Sequence, residues 1–284
     1  MSGLSWRVGT AASALLVVLA ALALLVAPAS ASLKIHEATR TELITLVNDS
    51  VTAPCPRGEA PISGGYDVPD QISEPNAIYF PTGSFLGDGG WQVSSKLAAG
   101  DLEENSLSST SYCAKLGKDV VTRGDTTAIE GGTFTDLTAV CKRSETAISG
   151  GWAISTGPDG FGLVVGSIRA GLRSWKITGG LTAGTGTLVA LADCVPNKQA
   201  PELEARKQTT TSEPGATQAP ASCKRREQVV SAGFTSDSGV IPFEFRRDTR
   251  RKWTNNGVAF TDTSVDETTI AYCEKVKKKR KGHR

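Results

Sequence analysis

Three stretches of the chain align without a gap, and each opens on a cysteine. They are Cys55-Pro-Arg57-Gly-Glu59-Ala-Pro-Ile62-Ser63-Gly64-Gly65-Tyr66, Cys141-Lys-Arg143-Ser-Glu145-Thr-Ala-Ile148-Ser149-Gly150-Gly151-Trp152 and Cys223-Lys-Arg225-Arg-Glu227-Gln-Val-Val230-Ser231-Ala232-Gly233-Phe234. Cysteine, arginine, glutamate, a β-branched residue, serine, glycine and an aromatic recur at fixed offsets. Each copy continues to a tryptophan (Trp91, Trp175, Trp253), a polar turn, and a run that ends in a second cysteine (Cys113, Cys194, Cys273). The first cysteines lie a little over eighty residues apart. Self-similarity at such a period means one unit stacked on its own copies, with the recurring residues serving a shared core.

The repeat bears on the cystine pairing. Six cysteines allow fifteen pairings, and spacing alone does not choose among them. The repeat favours pairing within each copy, which joins Cys55–Cys113, Cys141–Cys194 and Cys223–Cys273. The competing pattern staples neighbours, Cys113–Cys141 and Cys194–Cys223, and strands Cys55 and Cys273 unless they close the ring. The chain contains no close C-x₂₋₄-C pair, so the cysteines do not read as a zinc site.

Export is expected from the N-terminus. Arg7 precedes an uncharged apolar run from Ala11 to Val26, then Pro28 and the small-x-small sequence Ala29-Ser30-Ala31. That order is a secretory signal, with cleavage placed after Ala31. The alternative is an uncleaved anchor from Gly9 to Ala27, long enough to span a bilayer. No later segment is apolar enough to span. An exported chain meets an oxidising compartment, where paired thiols persist as disulfides.

Short β-type runs bounded by glycine, aspartate or proline fill the mature chain. Thr133–Val140, Phe161–Ile168 and Ile241–Phe245 are examples, and no ten-residue segment has a clean helical stripe. The expected fold is all-β: three pseudo-equivalent antiparallel β repeats, β-prism-like, with tandem small β-sandwiches as the alternative. The expected organisation is a signal peptide at 1–31 and a three-repeat β domain at 32–274, with repeats at about 40–113, 119–194 and 223–273. A polar loop is expected at 196–222, with a short helical pattern over 200–208, and a disordered basic tail at 275–284. The glycine before each aromatic marks either a bulge or close backbone approach where sheets meet, or a plain turn.

The form Cys55-Pro-Arg-Gly58…Gly64-Gly65-Tyr66…Tyr112-Cys113 resembles the repeats of secreted bacterial proteins of unknown function. More distantly it resembles the vitelline membrane outer layer protein family. The resemblance covers roughly Val51 to Glu274; copies two and three depart from it at Lys142 and Lys224, where the first has proline. It implies a β-prism of three Greek-key sheets with pseudo-threefold symmetry, and structural or carbohydrate-associated roles.

Catalytic chemistry is poorly provided for. The mature chain has two histidines, His36 and His283, both outside the repeat body as read from sequence. A serine or cysteine nucleophile therefore lacks its base, and no phosphate loop or His-Glu-x-x-His is present. No cofactor or metal is expected; the acidic stretches 101–105 and 262–267 read as solvated turns. Carboxylate chemistry would fall to Glu59, Glu145 and Glu227, each read as paired with Arg57, Arg143 or Arg225 two residues earlier. Trp91, Trp175 and Trp253 are either core or exposed platforms for sugar rings.

Charge is unevenly spread. The last ten residues hold seven cations and no acid; with a net charge of +2, that leaves −5 for the rest. Lys277, Lys278, Lys279, Arg280 and Lys281 would tether the protein to an anionic surface, or only solubilise it. The expected function is a secreted or cell-surface structural or interaction protein. Its expected partners are anionic envelope polymers or glycans, not nucleic acid. A glycan-binding module is the alternative and a carboxylate-based glycoside hydrolase the third reading.

Overall fold

The computed structural model describes residues 32–276 except 45, 69–76, 101–104, 118, 158, 159 and 238. Residues 1–31, where a signal peptide is expected, and the basic residues after Val276 lie outside the described residues. Among the described residues, eighteen strands form three modules of six. The first comprises β1 (His36–Leu43), β2 (Asn48–Pro54), β3 (Ala60–Asp67), β4 (Ala77–Gly87), β5 (Gly90–Gly100) and β6 (Ser106–Ala114). The second comprises β7 (Val121–Glu130), β8 (Phe134–Val140), β9 (Glu145–Thr156), β10 (Gly162–Gly171), β11 (Ser174–Leu181) and β12 (Thr185–Pro196). The third comprises β13 (Leu203–Ser212), β14 (Gly215–Ser222), β15 (Glu227–Ser236), β16 (Val240–Thr249), β17 (Lys252–Ala259) and β18 (Val265–Lys275).

Each module divides its strands between two sheets. The sheet orders are β1-β6-β3-β16-β17-β14, β2-β5-β4-β9-β12-β7 and β13-β18-β15-β10-β11-β8. Every sheet is thus half one module and half another, all antiparallel. The fold is all-β and β-prism-like. Shared sheets replace the tandem-sandwich alternative, since no module owns a sheet. The cystines pair within modules, Cys55–Cys113, Cys141–Cys194 and Cys223–Cys273, at sequence separations of 58, 53 and 50. Closing loops of that size stabilises by about 3–4 kcal/mol each in the chain-entropy model.

The expected polar loop at 196–222 is a correction: most of it is β13 and β14, and the helical pattern over 200–208 gives way to β13. The third module therefore begins near Leu203 and not at Cys223. Both strands are sheet edges. β13 pairs only with β18, and β14 only with β17. An edge strand packs one face, and in β14 that face is Thr217, Ala219 and Ala221. Small inward residues leave little apolar signal, and Pro220 is tolerated because an edge leaves one side of the backbone unpaired.

Two glycines explain how the sheets join. Module halves meet at Tyr66↔Phe245, Ser84↔Trp152 and Ser167↔Phe234. A Cβ on Gly65, Gly151 or Gly233 would stand 2.4, 2.5 and 2.5 Å from the carbonyl oxygens of Phe245, Ser84 and Ser167 across those seams. The residue before fits a tryptophan instead: a Cβ on Gly64 or Gly150 would stand 2.0 or 2.3 Å from the ring of Trp91 or Trp175. These glycines lie inside strands and mark close approach, not plain turns.

A bulge precedes each Ser-Gly-Gly or Ser-Ala-Gly. The register of β3, β9 and β15 on β6, β12 and β18 slips at Ile62, Ile148 and Val230. The slip frees a carbonyl for the next module. Ser63 Oγ donates to Val230 O at 2.6 Å, and Ser231 Oγ donates to Ile148 O at 2.5 Å. These bonds run around the pseudo-threefold axis, where Tyr66, Trp152 and Phe234 fill the core.

Candidate functional site

The three tryptophans are core, which corrects their reading as sugar platforms. Trp91 is 3% exposed, and Trp175 and Trp253 are 0%. Trp91 Nε1 donates to Ser84 Oγ and Trp175 Nε1 to Ser167 Oγ, both at 2.9 Å. Phe245 stands at the equivalent place in the third module, 5.2 Å from the Trp253 ring, and that indole nitrogen has no partner.

The repeated glutamates are also structural, with partners other than those expected. Arg123 on β7 forks Glu145 with two bonds of 2.6 Å, and Lys142 N adds a third at 2.9 Å. The Arg123 hydrogen bonds hold the Glu145 carboxyl down at about 2. Arg206 on β13 forks Glu227 at 2.7 and 3.2 Å, with Lys224 N at 2.8 Å. In the first module the partner is His36, whose Nδ1 lies 2.9 Å from Glu59 Oε1. Pro56 has no N–H to add there. His36 opens β1 and so belongs to the first module, although its position in the sequence had set it outside the repeat. Arg57, Arg143 and Arg225 stay exposed at the turn.

Where residues recur to build a frame, a site is best sought where the recurrence fails. It fails just before the second cysteine. Tyr112 and Tyr272 seal two of the three module junctions. Tyr112 Oη accepts the Arg247 N–H and Tyr272 Oη accepts the Arg169 N–H, both at 2.7 Å. Their rings meet Trp253 and Trp175 edge-on at 5.0 and 5.6 Å. The second module has Asp193 instead. It is fully buried, accepting Ser149 Oγ at 2.8 Å and Thr122 Oγ1 at 2.9 Å. Burial pushes its carboxyl up to about 6, against the lowering effect of those two hydroxyls. By taking Ser149, it also removes the third member of the serine ring around the axis.

A cleft of about 550 Å³ lies at this junction, between the first module's turn at 86–90 and the start of the second module. Leu86 lines it at the position Arg169 and Arg247 hold at the sealed junctions. Pro61, Thr122 and three carboxyl groups, Glu59, Asp88 and Asp119, complete its chemistry. Thr122 links it to Asp193 behind the wall. Carboxylates and turn amides together suit a ligand rich in hydroxyl groups. Sequence reasoning missed Asp193, Asp88 and Asp119, although the break from Tyr-Cys to Asp193-Cys194 was visible in the alignment of copies. The six cysteines are brought together in pairs; Lys277, Lys278, Lys279, Arg280 and Lys281 lie outside the described residues. The groups Cys141/Glu145/Cys194 and Cys223/Glu227/Cys273 have metal-like spacing, but their sulfurs are spent in disulfides.

No protein-family model and no curated protein matches the chain.

Proposed function

We propose that the chain is exported and works outside the cell as a non-enzymatic interaction protein, a rigid frame held at an anionic envelope by the basic segment after its last strand. What carries this reading is the fate of the recurring residues. Cystines, tryptophans, seam glycines and glutamates all have partners in the frame, and the recurring arginines that stay exposed, Arg57, Arg143 and Arg225, offer neither a nucleophile nor a base. Three disulfides fit an oxidising compartment. Among the described residues no helix is long and apolar enough to cross a membrane.

The test compares the full mature chain with one ending at Val276 on isolated cell envelopes across salt concentrations. The cut keeps β18 whole, including Lys275, whose Nζ lies 2.8 Å from Glu204. The full chain should bind more tightly, with the difference shrinking as salt screens it. Equal binding would remove the tether.

The open junction supports a second reading, binding of a hydroxyl-rich ligand such as a glycan. Asp193→Tyr restores the residue found at the sealed junctions. It should abolish any glycan response measured by titration calorimetry while leaving the melting curve cooperative. A glycan response unchanged in that variant would sink the cleft as the site.

A further inference from the structure

We propose that the turn end of the third module is a folded docking surface for a linear polyanion. The inference rests on the envelope reading above and adds to it the part of the fold that contacts the polymer.

Two turns make the surface. Lys224, Arg225 and Arg226 link β14 to β15, and Arg250 and Arg251 lie between β16 and β17. The backbone locks these turns together: Cys223 N donates to Arg251 O at 2.8 Å and Val229 N to Arg250 O at 3.0 Å. All five side chains are exposed, and among the described residues none is in an ion pair. Arg250 Nε makes only a neutral bond, to Gln228 Oε1 at 3.2 Å. Four nearby carboxylates are already engaged. Arg206 holds Glu227, Arg206 and Lys275 hold Glu204, and Lys252 holds Asp248. Gln228 and the Leu33 N–H hold Glu274.

The other modules lack this density. The matching turns carry Arg57 and Asp88 in the first module, and Lys142, Arg143 and Arg173 in the second. Val276 N donates to Arg226 O at 2.8 Å, so the last described residue is held against this surface.

The backbone adds an independent observation. Arg226 has φ +74°, the one non-glycine residue at positive φ among the described residues, where the first module has Gly58 at +81°. A side chain in the left-handed region is disfavoured. Strain of this kind is kept where surroundings or function require it, and here it places a guanidinium in the centre of the cationic turn. Four of the five cations are arginines, whose planar forks match oxyanions two bonds at a time. A polymer repeating phosphate or carboxylate groups is the class that fits. A lipid surface fits less well, because the exposed large apolar side chains lie elsewhere on the molecule.

The experiment measures binding of inorganic polyphosphate, a carboxylate polymer of matched length, and anionic lipid vesicles. Four full-length or shortened proteins are compared: the parent, the chain ending at Val276, the full chain with Arg225→Ser, Arg226→Gly, Arg250→Ser and Arg251→Ser, and both changes together. Each change alone should weaken polymer binding by about tenfold or more, and the combination should abolish it. The preferred polymer identifies the oxyanion. If the four-substitution variant binds like the parent while the shortened chain does not, the folded surface is overturned and the tether stands. If the parent binds no polymer and no envelope, both fall together. Vesicle binding as tight as polymer binding would overturn the polymer in favour of a membrane. Arg226→Gly alone guards against a folding artefact. It should melt no lower than the parent yet bind polymer several-fold more weakly, and unchanged binding would remove Arg226 from the surface.

Discussion

Asn255 and Glu267 occupy positions held by Val93 and Leu107 in the first module and by Ile177 and Leu188 in the second. All six are buried. Asn255 Nδ2 donates to Glu267 Oε1 at 2.6 Å, and Asn255 Oδ1 has no partner. Glu267 had read as part of an acidic turn; it lies in β18, where strand alternation turns it inward between Asp266 and Thr268. Desolvation pushes its carboxyl up to about 7. Replacing one member of a buried polar pair costs more than replacing both, because the survivor stays desolvated and loses a partner. Asn255→Val alone should therefore lower stability by about 1–3 kcal/mol. Asn255→Val with Glu267→Leu, which copies the other modules, should return it to the parent value or above. Urea unfolding under non-reducing conditions reads both, and a double variant as weak as the single one would show that the pair is not an isolated unit.

At the level of strands, legibility in the sequence followed the size of the buried side chains. Trp91, Trp175 and Trp253 and the paired cysteines are large or chemically distinct, so three copies were enough to expose the module and its cystine. β10 and β16 were readable because Val164, Val165, Ile241 and Phe243 are apolar. β13 and β14 were not: β14 turns only threonine and alanine fully inward and β13 buries no residue fully, so both look like any polar linker. The division of each module between two sheets was also hidden. It depends on what lies opposite Gly65, Gly151 and Gly233, and a glycine does not announce its neighbour. The cleft was half visible: Asp193 replaces a tyrosine in a position where two copies agree, but only the fold shows that the tyrosine seals a junction. The partners of Glu59, Glu145 and Glu227 were misassigned for a related reason. Arg57, Arg143 and Arg225 are close in sequence, whereas His36, Arg123 and Arg206 are brought in by the first strand of each module.

For the whole molecule, the buried carboxyls set the response to pH. Asp193 and Glu267 have folded pKa values raised to about 6 and about 7, against about 3.9 and 4.3 in an unfolded chain. Their contribution is complete below the unfolded values and is lost as pH rises through about 6 and 7. Glu145, held down at about 2, works in the opposite sense: its contribution is present above about 4.3 and is lost as pH falls toward 2. Melting temperature should therefore peak in mildly acidic solution and fall toward pH 8. In the variant with Asp193→Asn and Glu267→Gln the fall above the peak should flatten while the acid limb remains. An alkaline limb unchanged by both substitutions would show that other groups set it.

Strand sharing also decides what kind of object this is. β16 of the last module lies beside β3 of the first, and Leu33 N meets the Glu274 carboxylate at 3.1 Å, so the circuit of sheets ends where it began. No two of the three parts can complete it, because each would keep half a sheet waiting for an absent neighbour. The unit that can be gained or lost is thus the full turn of three.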